Sequence, residues 1–327
     1  MSKPDVRGAG AVIWRKKDRN TQVLIVHRPS WDDWSFPKGK VKGDESLHEC
    51  CIREIREEAG LDIVLGAPLG WQHYTIAGGR TKEVRYWLAT EIEKSNPAVK
   101  VRPKVSLASK KEVDEVRWVT IKQAKKMLTH KGDREILGHM KDLWSDDKHQ
   151  TVPLLLARHT RAMKRSAWKD KDGKGAEETR PLTKTGYERA ESLVRVFAAY
   201  GVERVVSSPW RRCVESVEPY AKATGYDVET KDELTETAHE KKPKAVAALV
   251  RKWLRKEMRP TVACLHRPTL PTVMETLEEY TPQAIMRQVP EKDPWLKTGE
   301  VIVAHVANRR GKAPTIVALE KIRPLID

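Results

Sequence analysis

Apolar runs of strand length open the chain. Residues 7–15 (RGAGAVIWR) and 22–28 (QVLIVHR) read as β-strands joined by the polar turn KKDRNT. Strand-like runs follow at 63–76 and 83–92, with Gly78-Gly79 turning between them, and another spans 113–119. Between these groups the period changes: Leu47, Cys51 and Ile55 repeat every four residues, which suits one helix face packed on a sheet. Ser46, with Glu49 three residues on, forms a capping-box pattern, and Gly60 supplies the helix stop. Helical patterns at 121–129 and 132–145 follow a loop rich in Lys and Ser at 93–111. The polar stretch 145–151 (SDDKHQT) has no apolar period and marks a boundary. It divides the chain into expected domains 1–145 and 152–327, with 146–151 as linker.

Beyond the boundary, apolar strands at 152–157 (VPLLLA), 202–206 and 261–265 alternate with helical patterns at 183–200, to about 224, and at 243–257. That alternation predicts a mostly parallel, doubly wound α/β sheet. Ligands of such sheets bind at the carboxyl ends of the strands. Arg158, His159, Arg212 and His266 all fall at or just after such ends.

Composition narrows the class. With 327 residues, 33% charged and 39% apolar, the chain has material for two soluble domains with ample cores. It holds no apolar run long enough for a transmembrane helix, and its start lacks a signal-peptide core. Cys50, Cys51, Cys213 and Cys264 have no zinc spacing, and adjacent Cys50 and Cys51 on a helix point to different faces. They read as reduced thiols, so a cytoplasmic location is expected. The net charge of +16 is shared, +7 over residues 1–150 and +9 over the rest. Nucleic-acid binding or two pockets for phosphorylated small molecules would each explain it.

The chemistry concentrates in residues 39–61, GKVKGDESLHECCIREIREEAGL. Glu54, Glu57 and Glu58 sit at i, i+3 and i+4 of the predicted helix, on one face. Arg53 offsets part of that charge, and a hard divalent cation, which prefers oxygen ligands and substrate phosphates, would offset the rest. The segment resembles a complete Nudix box, GX5EX7REUXEEXGU with U apolar, and no fixed position departs from it. That resemblance implies an α/β/α sandwich and Mg²⁺- or Mn²⁺-dependent hydrolysis of nucleoside diphosphate derivatives. It implies a metal site of Gly39, Glu54, Glu57 and Glu58, with Glu54 as third ligand or as base for the attacking water. Glu112 matches a further metal-binding carboxylate, with Glu115 as the alternative. Lys38 and Lys40 flank the box glycine and can contact phosphates, and Arg28 can approach from the end of its strand. Trp34, Phe36, Tyr74 and Tyr86 are candidates for stacking on a base, although core packing competes for such residues.

In the second half a neutral imidazole can attack phosphorus while arginines neutralise the phosphoryl oxygens. LLLARHT, RPLTKTGYERA, SSPWRRC and CLHRP together resemble the histidine phosphatase superfamily. The resemblance makes His159 the nucleophile and Arg158, Arg212 and His266 its phosphate-binding partners. Thr160 stands where the family usually has glycine. Glu236 matches the position of the catalytic acid, with Glu233 and Glu240 as rivals. The pairing of the two domains resembles two-domain MutT-type Nudix hydrolases. It implies hydrolysis of 8-oxo-dGTP and 8-oxo-GTP to the diphosphates and of diadenosine polyphosphates. The diphosphate released by the first domain is then the natural substrate expected for the second, which would take it to the monophosphate. Diadenosine tetraphosphate hydrolysis is an alternative main activity, because WSFPKGK also resembles those enzymes. A nucleotide-sensing regulator of Nudix fold is the rival from another class, but such proteins commonly lose box carboxylates, and all are present here. A mutase activity is a third reading of the second domain. Expected partners are nucleotides, with neither stable nucleic-acid binding nor membrane association.

Overall fold

A computed structural model describes residues 4–172, 176–290, 292–307, 312–323 and 325–326, without the side chains of 169–172. The chain forms two compact units, Met1–His149 and Gln150–Asp327.

The first unit runs β1 (Val6–Lys17), β2 (Asn20–Arg28), β3 (Asp33–Ser35), β4 (Lys38–Lys40), α1 (Leu47–Ala59), β5 (Ile63–Thr75), β6 (Thr81–Glu91), α2 (Pro97–Lys100), β7 (Glu115–Thr120), α3 (Ile121–Met127) and α4 (Lys131–Ser145). The strand order is β3-β2-β1-β6-β5, with β4 added to β1 and β7 to β2. β1 lies parallel to β6 and antiparallel to β2. The hairpin is tighter than its polar residues predict, since Lys17 pairs with Asn20 and only Asp18 and Arg19 turn. Exposed strand ends tolerate charge, so KKDRNT contributes to the strands as well as to the turn. Likewise β7 starts at Glu115, two residues later than the apolar pattern suggests.

Helix α1 keeps its predicted caps. Ser46 accepts from the Glu49 amide, Glu49 returns a bond to the Ser46 amide, and Gly60 closes the helix at φ 71°. The buried face differs from the predicted row. Leu47 is only half-buried, whereas His48 is buried and lies 5.0 Å from the Trp87 ring. Cys50 and Cys51 are both fully buried, because α1 packs on β1 and β4 over a wide arc. A core of Val12, Val23, Ile25, Phe36, Tyr86, Leu88, Ile136 and Met140 fills this unit.

The second unit runs β8 (Thr151–Arg158), α5 (Arg165–Asp172), α6 (Lys184–Ala199), β9 (Arg204–Ser207), α7 (Arg211–Thr224), β10 (Val228–Thr230), α8 (Glu236–Lys241), α9 (Pro243–Arg255), β11 (Thr261–Leu265), α10 (Leu270–Glu278), α11 (Gln283–Met286), β12 (Val301–Ala307) and β13 (Thr315–Ile322). The sheet order is β10-β9-β11-β8-β12-β13. β10, β9, β11 and β8 are mutually parallel, and β12 and β13 extend the sheet antiparallel. The central strands β9, β11 and β8 therefore end on the same edge. Leu154, Leu156, Val206, Ala263 and Leu265 pack with α9 and α10 beneath it. Among the described residues no helix is long and apolar enough to cross a membrane.

Candidate active sites

In the first unit, β4 brings Gly39 against α1 at the level of Glu54. A Cβ on Gly39 would lie 1.9 Å from the Glu54 carboxyl carbon, so only glycine lets strand and carboxylate meet this closely. Arg53 organises what surrounds them. Its Nη1 donates to Glu54 at 2.7 Å and Glu57 at 3.0 Å, its Nε to Glu45 at 2.9 Å, and its Nη2 to the Lys40 carbonyl at 2.9 Å. Lys42 adds an ion pair to Glu57 at 3.2 Å. Glu58 is buried and accepts from the Lys38 amide at 2.8 Å. Burial raises Glu54 above the ordinary carboxylate range and pushes Glu58 up to about 7.

Among the described residues no three His, Cys, Asp or Glu side chains converge as a metal-ligating cluster, and Arg53 bonds two of the carboxylates, Glu54 and Glu57. The donor set nevertheless fits a hard dication. All its donors are oxygens, and burial disfavours the charged form of two of its carboxylates, Glu54 and Glu58, a cost that a dication would offset. Glu112 lies exposed in the turn before β7, and Glu115 pairs with Arg117.

Cations rim this site. Lys38 is buried, with its Nζ 3.3 Å from the Phe36 carbonyl, and Lys40 is exposed. Arg28 pairs with Asp33, which also meets His130 at 2.7 Å. Sequence reasoning missed Lys82, which passes over Gly8 and whose ammonium is lowered to about 8 by burial and by Lys38, Lys40 and Arg28. It also missed Asp133, buried in the first turn of α4. Asp133 Oδ1 accepts from Gln72 at 3.0 Å and from the Tyr86 hydroxyl at 3.3 Å, while Oδ2 has no hydrogen-bond partner. The Phe36 and Tyr86 rings lie fully buried in the core, where neither can stack on a base, and the Tyr86 hydroxyl bonds Asp133. Trp34 is half-buried beneath Arg117, and the half-exposed Tyr74 ring has Lys82 Nζ 5.7 Å away.

The second unit gathers its residues at the carboxyl edge of the sheet. Arg158 ends β8, His159 and His266 follow β8 and β11, and Arg212 sits in the first turn of α7 after β9. The two imidazole centroids are 5.5 Å apart. His159 Nδ1 is 2.8 Å from the Thr160 carbonyl, an acceptor, so Nδ1 carries the proton and Nε2 keeps its lone pair. Burial, with His266 and the arginines nearby, holds His159 well below the usual histidine value. The imidazole is therefore held neutral, with Nε2 unprotonated. Arg158 and Arg212 each keep a buried Nε with no hydrogen-bond partner, donors suited to phosphoryl oxygens.

Glu236, the first residue of α8, accepts from Arg212 Nη2 at 2.7 Å and meets His266 Nδ1 at 3.3 Å. Burial alone would raise its carboxyl, but His266 and Arg212 outweigh that and hold it at about 2. Glu233 and Glu240 are exposed. Ser208 Oγ holds His266 Nε2 at 2.9 Å, and the Thr160 amide donates to Ser216 at 2.9 Å.

Known proteins match both halves. The NUDIX domain matches residues 4–140, and the histidine phosphatase superfamily (branch 1) matches residues 154–307. The 8-oxo-(d)GTP phosphatase of Mycolicibacterium smegmatis is 34% identical over 247 residues, 73% of this chain and 70% of that protein. Among solved structures, a C. elegans Ap4A hydrolase covers 43% of this chain and 98% of its own, at 24% identity and TM-score 0.36. The protein histidine phosphatase SixA, complexed with tungstate, covers 53% and 97% at 19% identity and TM-score 0.38. On the family matches and the long M. smegmatis alignment, this chain belongs to the two-domain Nudix hydrolases that carry a C-terminal histidine phosphatase domain, enzymes acting on phosphoanhydride bonds.

Proposed function

We propose that the first unit hydrolyses 8-oxo-dGTP and 8-oxo-GTP to their diphosphates, and that the second unit takes those diphosphates to monophosphates. The chain would thereby clear damaged nucleotides from the cytoplasmic pool before polymerases use them. The observation that carries this reading is the desolvated carboxylate set of α1 facing Arg28, Lys38, Lys40 and Lys82, an arrangement for a polyphosphate and its counter-ion. The M. smegmatis relative supports the choice of nucleotide.

Glu57 and Glu58 would hold Mg²⁺ or Mn²⁺ with Glu54 and the Gly39 backbone, and Glu112 is the candidate for a further ligand. When bound, such an ion polarises the phosphoryl group and lowers the pKa of its water. The chain's own groups do the rest. Lys38, Lys40, Lys82 and Arg28 would bind the polyphosphate oxygens, and Glu54 would accept the proton of the attacking water. Asp133 keeps one buried carboxylate oxygen without a hydrogen-bond partner, which a base reaching it would meet as an acceptor for N–H bonds. The N1–H and N2–H₂ edge of a guanine-type base offers two such donors, whereas adenine has an acceptor at N1. That difference favours oxidised guanine nucleotides over diadenosine polyphosphates, which remain the second substrate class.

Product analysis by anion-exchange chromatography tests the reading in the full chain. With Mg²⁺, 8-oxo-dGTP is expected to give 8-oxo-dGDP faster than diadenosine tetraphosphate is cleaved. Glu57→Gln should lower that rate at least about a hundredfold, the scale for losing an electrostatic stabiliser. In EDTA, 8-oxo-dGDP hydrolysis should continue and should disappear in His159→Ala. Near-normal Mg²⁺-dependent activity in Glu57→Gln, or no diphosphate hydrolysis in EDTA, would overturn the corresponding half.

A further inference from the structure

Arg165, on α5, takes part in no motif, yet it reaches the phosphatase site. Its Nη2 donates to Glu236 Oε2 at 2.9 Å, and its Nε lies 3.2 Å from Glu177 Oε1. Both carboxylates also serve Arg212: Glu236 through Oε1 at 2.7 Å, and Glu177 through Oε1 at 3.3 Å. Glu177 is held in place by Arg180 at 2.6 Å, and Trp168 Nε1 ties α5 to the turn before Glu177 by a 3.2 Å bond to the Ala176 carbonyl. The result is layered. Arg212 and His266 face the inner oxygen of Glu236, and Arg165, 60% exposed, faces the outer one.

The acid position marks the side of the reacting phosphorus from which the leaving group departs. Arg165 stands just beyond it, toward solvent, so it meets whatever the phosphoryl group leaves behind. We propose that Arg165 forms a leaving-phosphate subsite, which makes the second unit selective for phosphoanhydrides over simple phosphate monoesters. This rests on the reading of that unit as a diphosphate phosphatase and names the residue that recognises its substrate class.

The chemistry of the leaving group agrees. An alkoxide must be protonated as it departs, and Glu236, held ionised by His266 and Arg212, has no proton to give near neutral pH. A phosphate departs without a proton and needs a counter-charge instead. In the first step His159 Nε2 forms a bond to the terminal phosphorus. The P–O bond to the leaving phosphate breaks, and its electron pair stays on the nucleoside monophosphate. In the second step water attacks phosphorus and the P–N bond breaks, returning its pair to Nε2. Orthophosphate departs and one water proton goes to solvent. No oxidant, reductant or metal enters the balance.

The test uses the full chain in EDTA, with GDP and p-nitrophenyl phosphate as substrates and with pyrophosphate and orthophosphate as inhibitors. Arg165→Gln is expected to lower the ratio of kcat/KM for GDP over p-nitrophenyl phosphate by about tenfold to a hundredfold, the range for a lost hydrogen bond to a charged group. Pyrophosphate inhibition should weaken by a similar factor while orthophosphate inhibition moves far less. Arg165→Lys should recover part of the loss, because charge returns without the guanidinium fork. An unchanged GDP ratio in Arg165→Gln, or equal weakening toward pyrophosphate and orthophosphate, overturns the subsite alone. Unmodified protein that cleaves p-nitrophenyl phosphate but no diphosphate would overturn the diphosphate reading and the subsite together.

Discussion

His159 shows how a single side chain acquires a function from its surroundings. The Thr160 carbonyl fixes its tautomer, and burial beside His266 and two arginines disfavours its protonated form. The folded value lies below the ordinary histidine range, so the imidazole stays neutral as pH falls through about 6.5 and is protonated only at more acidic pH. Diphosphate hydrolysis in EDTA should therefore keep a flat kcat/KM from pH 8 down to about pH 6. A fall centred near 6.5 or above, assignable to His159 by its NMR titration, would contradict this placement. The same shift makes stability depend on pH, since the unfolded imidazole takes up a proton more readily and the folded chain loses that contribution as pH falls. Residues of this kind were legible where a local pattern carried them. Glu54, Glu57 and Glu58 follow from helical spacing, and Arg158, His159, Arg212 and His266 from strand ends. Asp133, Lys82 and Arg165 were not, because each acts alone and its partner is remote: Gln72 for Asp133, 61 residues away, and Glu236 for Arg165, 71 residues away.

At the scale of elements, β4 fits closely on α1 at Gly39. Gly39→Ala would drive a methyl into the Glu54 carboxyl, where the nearest atom is 1.9 Å from the ideal Cβ. The carboxylate must then leave its position and its bond to Arg53. Mg²⁺-dependent triphosphate hydrolysis should fall about a hundredfold or more, as for other losses of an electrostatic stabiliser. Diphosphate hydrolysis in EDTA should stay normal, and a variant with ordinary triphosphate activity would show that β4 can yield. The caps of α1 were legible because Ser46, Glu49 and Gly60 act within one turn of the helix ends. The buried face was less so. A period of four selects Leu47, Cys51 and Ile55, but the arc covered by β1 and β4 takes in His48 and Cys50 as well. The antiparallel placement of β12 beside β8 has no local signature, since strand direction depends on the connection and not on the run VIVAHVA itself.

At the scale of the whole molecule, each unit has its own sheet and its own core. Residues 1–149 expressed alone are therefore expected to fold cooperatively and to hydrolyse 8-oxo-dGTP with Mg²⁺ at close to the full-chain rate. Thermal unfolding and product analysis of that fragment check this, and a soluble but inactive fragment would mean that the second unit completes the first site. Within the first unit, one arginine settles a question of timing. Arg53 pairs with Glu45, Glu54 and Glu57, so the chain's own charge offsets part of their mutual repulsion. A newly made chain can therefore complete its maturation before it meets a dication. Cellular ion supply would then act as a throttle on turnover and leave the amount of finished protein unaffected.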